Sequence, residues 1–309
     1  MNEKHYYTLD RFYKEKFGCK VFKVSLDAGF TCPNKDGKKG TGGCIFCSKT
    51  PYIGDSNKTL FEQFEEVKTM LHKKWKDAKY IVYLEANSNT YATVEKLKSI
   101  YEPLIKLKNV VGLNIGTRCD CLTDEILDYL EELNSRTYLT VELGLQSSFN
   151  ETLEYLNRHH TKEEFENAVK NLKDRGINVV VHIINGLPGE TKKMMIETIK
   201  YVNSLHIDGI KIHMLYIEED TELAKIFKEK EFKLLSKDEY IEIVTQQLQE
   251  LSKNIVIHRI TSDPDKNKLI APDWLVKKFV VLNDIDKYMK KYNIHQGDLI
   301  TTNTDNIDL

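Results

Sequence analysis

Short β-rich runs alternate with longer amphipathic ones from Val21 to Leu215, and this alternation narrows the possible folds more than any other feature of the chain. The strand candidates are Val21–Ser25, Tyr80–Glu85, Val110–Ile115, Tyr138–Leu145, Asn178–Ile184 and Gly209–Leu215. Helices are predicted between them, over Leu60–Trp75, Tyr91–Leu107, Thr123–Leu133, Lys162–Arg175 and Thr191–Leu205. Thr123 and Thr161 precede acidic first turns as N-caps do, and Gly176 stands where a helix would stop. Strands that alternate with helices form parallel βα units joined by right-handed crossovers. Six units fall short of the eight of a closed barrel, so the expectation is an α/β fold, a partial and open TIM-like (βα)6 barrel. Its active site should lie at the C-terminal ends of the strands.

The rest of the chain completes this plan. A helical segment is expected over 1–20, the barrel over 21–220 with a cysteine-bearing loop at 30–50, and a C-terminal α/β extension over 221–295. That extension should hold a helix at Asp238–Leu251, a strand at Ile255–Arg259, a loop with Pro264 and Pro272, and a helix at Asp273–Lys291. It is expected to pack across the barrel's open side. The polar stretch 296–309 reads as a frayed tail. With 41% hydrophobic and 30% charged residues, the 309-residue chain can bury a full core. No apolar run approaches the ~20 residues that span a bilayer, and the polar N-terminus is unlike a signal peptide. A cytoplasmic protein with no membrane partner is expected. The net charge of −2 does not announce a nucleic-acid binder. Pairs such as Lys73-Lys74, Lys192-Lys193, Lys277-Lys278 and Lys290-Lys291 read mainly as solvated helix faces.

Three of the six cysteines, Cys32, Cys44 and Cys47, lie in a glycine- and proline-rich loop just after the first strand. In a chain of this class they read as metal or redox ligands before disulfides. Three thiolates are one ligand short of a closed tetrahedral site, whereas a cubane iron–sulfur cluster held this way keeps one iron open. A structural zinc site in a nucleic-acid-binding module is the alternative, with Cys19 or a histidine as fourth ligand. Cys19, Cys119 and Cys121 otherwise read as small buried hydrophobes, although the latter two flank an acid near the expected site. Other chemistry-bearing residues also fall at strand C-termini: Ser88, Asn89 and Thr90, then Arg118 and Asp120, then Gln146, then Gly186, Leu187 and Pro188, and last His213 to Tyr216.

Cys44-Ile-Phe-Cys47, with the eleven-residue gap back to Cys32, resembles the radical S-adenosylmethionine (SAM) enzymes. The stretch from Asp27 through Cys47 is similar to the bacterial YtqA/YhcC group, related to the radical domain of the Elongator catalytic subunit. The resemblance continues through Gly116-Thr-Arg-Cys-Asp120, Glu142-Leu-Gly-Leu-Gln146, Asn157-Arg-His-His-Thr161, His182 to Thr191, Lys211-Ile-His213 and Ala271-Pro-Asp-Trp274. Two departures stand out: Cys119 replaces a common proline, and Glu85 stands where relatives often carry glutamine. The resemblance implies a TIM-like radical SAM barrel holding a 4Fe-4S cluster on Cys32, Cys44 and Cys47, with SAM as cosubstrate. One-electron reduction then yields a 5′-deoxyadenosyl radical that abstracts hydrogen from substrate. It further implies that Ser88, Asn89 and Thr90 meet the cosubstrate's amino end and Arg158 its carboxylate. Gln146 would meet the ribose or methionine portion, and the Gly186-Leu187-Pro188 loop the adenine edge.

Glu85, Arg118, His213 and Tyr216 are the candidates for substrate chemistry, with Asp120 and His182 nearby. The resemblance points to transfer RNA, at its anticodon stem-loop, and to conversion of the wobble nucleoside 5-carboxymethylaminomethyl-2-thiouridine to the 5-aminomethyl form. Arg118, Arg259 or a lysine could hold a substrate carboxylate or phosphate. Lys266, Lys268, Arg259, Trp274, Lys277 and Lys278 would form the basic rim. An electron donor such as flavodoxin or ferredoxin and a downstream methyltransferase are the implied protein partners. A small metabolite or porphyrin precursor is the alternative substrate.

Overall fold

The computed structural model describes residues 4–48, 55, 57–230 and 232–300. The chain opens with α1 (Leu9–Phe17), β1 (Val21–Leu26), α2 (Leu60–His72), β2 (Lys79–Leu84), α3 (Val94–Ile105), β3 (Val110–Thr117) and α4 (Asp124–Asn134). It continues through β4 (Tyr138–Gln146), α5 (Asn150–Tyr155), α6 (Lys162–Asp174), β5 (Asn178–Asn185), α7 (Lys192–Ser204) and β6 (Gly209–Met214). The extension comprises β7 (Ile217–Glu218), α8 (Glu222–Glu229), α9 (Lys237–Gln249), β8 (Val256–Arg259), β9 (Leu269–Ala271) and α10 (Lys278–Lys291). The predicted helix starts agree with the caps: Thr123 accepts from the Ile126 amide, and Thr161 forms a capping box with Glu164.

The main sheet is wholly parallel in the order β1-β2-β3-β4-β5-β6-β8. It therefore has seven strands rather than six. The Ile255–Arg259 segment, expected to lie across the open side, instead joins the sheet beside β6. Its pairing follows from composition: Ile255, Val256 and Ile257 have the same apolar character as the central strands and are buried in the same way. The two-stranded β7–β9 pair and the short helices α5 and α8 were not anticipated from the sequence. Residues 296–300 correct the expected tail. Gln296 is buried, accepts from the Tyr7 amide and donates to the Ser252 and Ile255 carbonyls. The remainder of that stretch lies outside the described residues.

Side-chain alternation explains the curl of the sheet. One face carries Val24, Leu26, Val82, Leu84, Leu113, Ile115, Leu139, Val141, Leu143, Val179, Val181 and Ile212, all buried against the apolar stripes of the helices. The other face carries Lys23, Tyr83, Asn114, Glu142, His182 and Lys211. Lys23 on β1 reaches Glu142 on β4 at 2.5 Å, and Lys211 on β6 reaches the Tyr83 hydroxyl on β2 at 2.9 Å. In a flat sheet, strands three or four places apart would be separated by roughly 14–19 Å. The contacts exist because the sheet wraps around this polar face, as in a partial barrel. No helix among the described residues is long and apolar enough to cross a membrane.

Candidate active site

Cys32, Cys44 and Cys47 line one cavity of about 530 Å³ at the C-terminal edge of the sheet. Ser88, Glu85, Arg118, Gln146, Arg158, His182, His213, Tyr216 and Arg259 line the same space. The cysteine loop is fixed by its neighbours as well as by its own turns. The Asn34 amide donates to Cys44 Sγ at 3.4 Å and to the Asn157 carbonyl at 2.6 Å. Asn157 returns a bond to the Gly43 carbonyl at 2.7 Å, and the Ile45 amide donates to the Leu156 carbonyl at 3.1 Å. Asn157 and His159 have φ of 58° and 52°, so the backbone on either side of Arg158 is bent into the left-handed region.

That bend aims Arg158 into the site. Its Nη1 donates to Cys44 Sγ at 3.3 Å, its Nη2 to the Gly144 carbonyl at 2.5 Å, and its Nε faces His160 Nε2 at 3.2 Å. The guanidinium reaches this position because residue 144 has no side chain: a Cβ there would lie 2.6 Å from Gln146 Nε2 and 3.3 Å from Arg158 Nη2. The Cys47 thiol hydrogen-bonds toward Cys44 and, with Arg158 and Arg118, holds Cys44 well below the ordinary thiol range despite burial. Cys47, which keeps the shared proton, is pushed up. Arg158, expected to receive the cosubstrate's carboxylate, thus also serves the cluster loop.

Arg118 sits behind Arg158 and acts as its brace. It forms a two-pronged pair with Asp120 at 2.8 and 2.9 Å and donates to the Arg158 carbonyl at 2.7 Å. Asp120 also takes Lys39 at 2.8 Å. Against the opposing effect of burial, these cations bring its carboxyl down to about 2. Cys119 and Cys121 are buried on either side of this pair and do not line the cavity. Burial pushes each thiol up to about 12.

The loop after β2 divides in role. Ser88 faces the cavity, but Asn89 and Thr90 are fully buried outside its lining. The Asn89 amide bonds the Leu84, Ala86 and Gly116 carbonyls, and Thr90 bonds Thr117 and the Cys121 carbonyl. They shape the turn that presents Ser88. The Gly186-Leu187-Pro188 loop lines a neighbouring cavity with Phe232 and Leu235, apart from the cysteines. Gln146 lies at a register shift in β4 with φ of 74°, and its Oε1 is buried without a partner. A strained residue with an unpaired polar atom aimed into a cavity is the form a ligand contact takes before the ligand arrives.

Below these residues lies a charged layer that sequence reasoning largely missed. Glu142 is fully buried and accepts from Lys23 at 2.5 Å, Lys211 at 2.7 Å, Asn114 at 2.7 Å and His182 at 2.8 Å. These donors outweigh burial and hold its carboxyl well below the usual range. Burial lowers Lys23 to about 8 even with Glu142 present, and lowers His182 to about 4. The signal was available: Lys23 and Glu142 are charges in otherwise apolar strands, at positions with inward parity. Asn34 and Asn157, which tie the cysteine loop, gave no comparable signal.

The expected rim is altered. Trp274 packs against Tyr240 and bonds the Leu235 carbonyl, Lys268 pairs with Asp220, and Lys278 pairs with Asp263. Beside them Phe279 is 76% exposed, the aromatic ring this surface does present.

The donor set fits a cluster of several irons and a chelating cosubstrate. The three thiols share a cavity with unpaired buried atoms of Ser88, Gln146, Arg118 and His213. A zinc site would need a fourth ligand beside the three cysteines, yet Cys19 packs instead in the apolar cluster of Tyr13, Val21 and Ile81. Residues 36–202 match the Radical SAM superfamily and residues 207–291 the Radical SAM C-terminal domain. The chain is 44% identical over 298 residues to the uncharacterized protein YtqA of Bacillus subtilis, covering 96% of this chain and 92% of that protein. It is 32% identical over 187 residues to a tRNA uridine(34) acetyltransferase of Methanocaldococcus jannaschii, covering 60% of this chain and 34% of that one. Elp3 of Methanocaldococcus infernus, solved without residues 1–46, has the same fold, with a TM-score of 0.66 at 21% identity over 89% of this chain and 64% of that one. Through the family match and its near-full-length relatives, the chain belongs to the radical SAM enzymes, in the group of YtqA and YhcC, with a 4Fe-4S cluster and SAM as cofactors.

Proposed function

We propose that this enzyme modifies the side chain of the wobble uridine in transfer RNA, converting 5-carboxymethylaminomethyl-2-thiouridine to 5-aminomethyl-2-thiouridine. The observation that carries this reading is the convergence of the three cysteines and a strongly polar barrel interior on one cavity. It is joined to the name of a relative that acts on uridine 34 of transfer RNA. When bound, the cluster and SAM would supply a 5′-deoxyadenosyl radical. Loss of a hydrogen atom from the arm's N–CH2 group, return of one electron to the cluster and hydrolysis of the resulting C=N bond would release the two-carbon arm as glyoxylate and leave the aminomethyl group. The protein's part is to hold and to orient. Cys32, Cys44 and Cys47 would hold the cluster, while Ser88, Gln146 and Arg158 would orient SAM around it. Arg118 and Asp120 keep Arg158 in place.

A flipped wobble base could enter the mouth, with Phe279, Lys266 and Lys277 outside it available for the anticodon loop. An electron donor such as flavodoxin or ferredoxin would supply the reducing equivalent, and a methyltransferase would act on the product. The test is incubation of the anaerobically reconstituted enzyme with SAM, a reductant and transfer RNA bearing the carboxymethylaminomethyl group. Formation of 5′-deoxyadenosine together with the 5-aminomethyl nucleoside is expected. SAM cleavage with an unchanged nucleoside would remove this substrate from consideration.

A further inference from the structure

Four carboxylates line the cysteine cavity, and each is engaged. Glu142 is saturated by its four donors. Glu85 accepts from Ser25 at 3.3 Å and lies 4.0 Å from Lys211. Asp263 pairs with Lys278 at 2.7 Å, and Glu218 accepts from the Asp265 amide at 2.8 Å. Lys23 and Lys211 are thereby matched. Arg259, at the end of β8, lines the same cavity partly buried and has no carboxylate within ion-pair distance among the described residues. A guanidinium partly screened from bulk water with no counter-charge beside it draws an anion into the cavity.

Its surroundings suit an anion with two oxygens. His213 Nε2 is buried and unpartnered, and Tyr216 completes the wall. Burial, with the neighbouring His182, Arg259 and Lys211, keeps His213 neutral. A neutral imidazole can still donate one N–H to a carboxylate. Arg259 acts on His213, Tyr216 and Tyr83, and Tyr216 also lies within electrostatic reach of Cys47, so the guanidinium shares the cysteine cavity across that wall.

We infer that Arg259, with His213 lining the same cavity, is the receptor for a carboxylate on the substrate, and so selects an arm that ends in a carboxylate over a counterpart that lacks it. This rests on the wobble-uridine reading, in which the arm to be removed ends in a carboxylate. The inference makes the enzyme's specificity a matter of one charge: the product lacks the carboxylate, so it loses this contact and leaves. SAM also carries a carboxylate, so the experiment must separate the two sources.

Synthetic anticodon stem-loops bearing either the 5-carboxymethylaminomethyl or the 5-aminomethyl arm are titrated by anisotropy against the reconstituted holoenzyme, and SAM is titrated separately by equilibrium dialysis. Wild type should favour the carboxylated stem-loop by about ten- to a hundredfold, the range for a charge-assisted pair. Arg259→Gln should abolish that preference, Arg259→Lys should restore part of it, and SAM affinity should hold within about twofold in both. If Arg259→Gln keeps the preference, the inference is overturned while the wobble-uridine reading stands on wild-type turnover. Loss of SAM affinity in place of the preference assigns the guanidinium to the cosubstrate and also overturns it. An Arg259-dependent preference without nucleoside conversion upholds the carboxylate receptor and overturns the reading. A wild type that neither discriminates nor converts overturns both.

Discussion

Replacing Glu142 by glutamine removes one charge and hardly any volume, which makes it a clean probe of the charged layer. The carboxylate is fully buried, with Lys23 and Lys211 bonded at 2.5 and 2.7 Å. In the variant Lys23 loses its ion-pair partner and Lys211 keeps only Glu85, at 4.0 Å, among the described residues. A buried lysine without a partner responds by shedding its proton. At pH 7, deprotonating a group with a solvent value near 10.4 costs about 5 kcal/mol. Direct breakage of a buried pair costs roughly 3–5 kcal/mol. Glu142→Gln should therefore lower the unfolding free energy at pH 7 by about 3–5 kcal/mol, measured by urea unfolding under anaerobic conditions.

The pH dependence carries a second signature. The folded-state value of Lys23 is depressed to about 8, so the unfolded chain binds more protons between there and 10.5, and stability rises with pH across that window. In Glu142→Gln Lys23 falls further, the window opens at lower pH, and the deficit against wild type narrows as pH rises from 7 toward 10. A deficit below about 1 kcal/mol, or one that stays constant over that range, would refute the account of Glu142 as the charge holding the layer together.

Serine at Cys32, Cys44 or Cys47 should each reduce bound iron and sulfide to a small fraction of wild type, whereas Cys19→Ser should leave both unchanged; metal and sulfide analysis after reconstitution decides this. Asp120→Asn should cost about 2 kcal/mol near neutral pH, from a carboxyl brought from 3.8 to about 2. Its folded value is depressed, so that stability is present above pH 4 and lost as pH falls through 2. The gap between wild type and Asp120→Asn in acid-unfolding curves should close over that range. Tyr101→Phe removes the hydroxyl that donates to the Asn89 carbonyl and should cost about 1 kcal/mol in thermal unfolding. A larger loss would mean that the turn presenting Ser88 depends on that single bond.

The helices and the first six strands could be read from the sequence because apolar periodicity and caps agreed locally, as at Thr161 with Glu164. The role of Ile255–Arg259 could not, since the three-residue apolar run Ile255-Val256-Ile257 carries no information about which sheet it joins. The cysteine loop was legible from its spacing. Arg158 was legible as a functional residue, but its bonds to Cys44 and Gly144 depend on φ values at Asn157 and His159 that composition does not announce. Asn89 shows the opposite error: a polar residue beside the site donates its side-chain N–H groups to backbone carbonyls of the turn, away from the cavity lining. Polar type in a strand-end turn does not distinguish a ligand contact from a turn brace.

The position of β8 also has a consequence for how the protein is made. Its Ile257 amide donates to the Tyr7 carbonyl at 2.8 Å, and Thr8 bridges to the same residue, so the chain's beginning seals the outer edge of its last sheet strand. During synthesis, β6 emerges with one edge unpaired and keeps it so until residues 256–259 leave the ribosome. Only then can the residues around Tyr7, translated earlier than either strand, find their place. A long interval with an open parallel edge favours aggregation of the nascent chain. Ribosome pausing between β6 and β8 would lengthen that exposure and lower the yield of folded protein, with the native state itself unchanged.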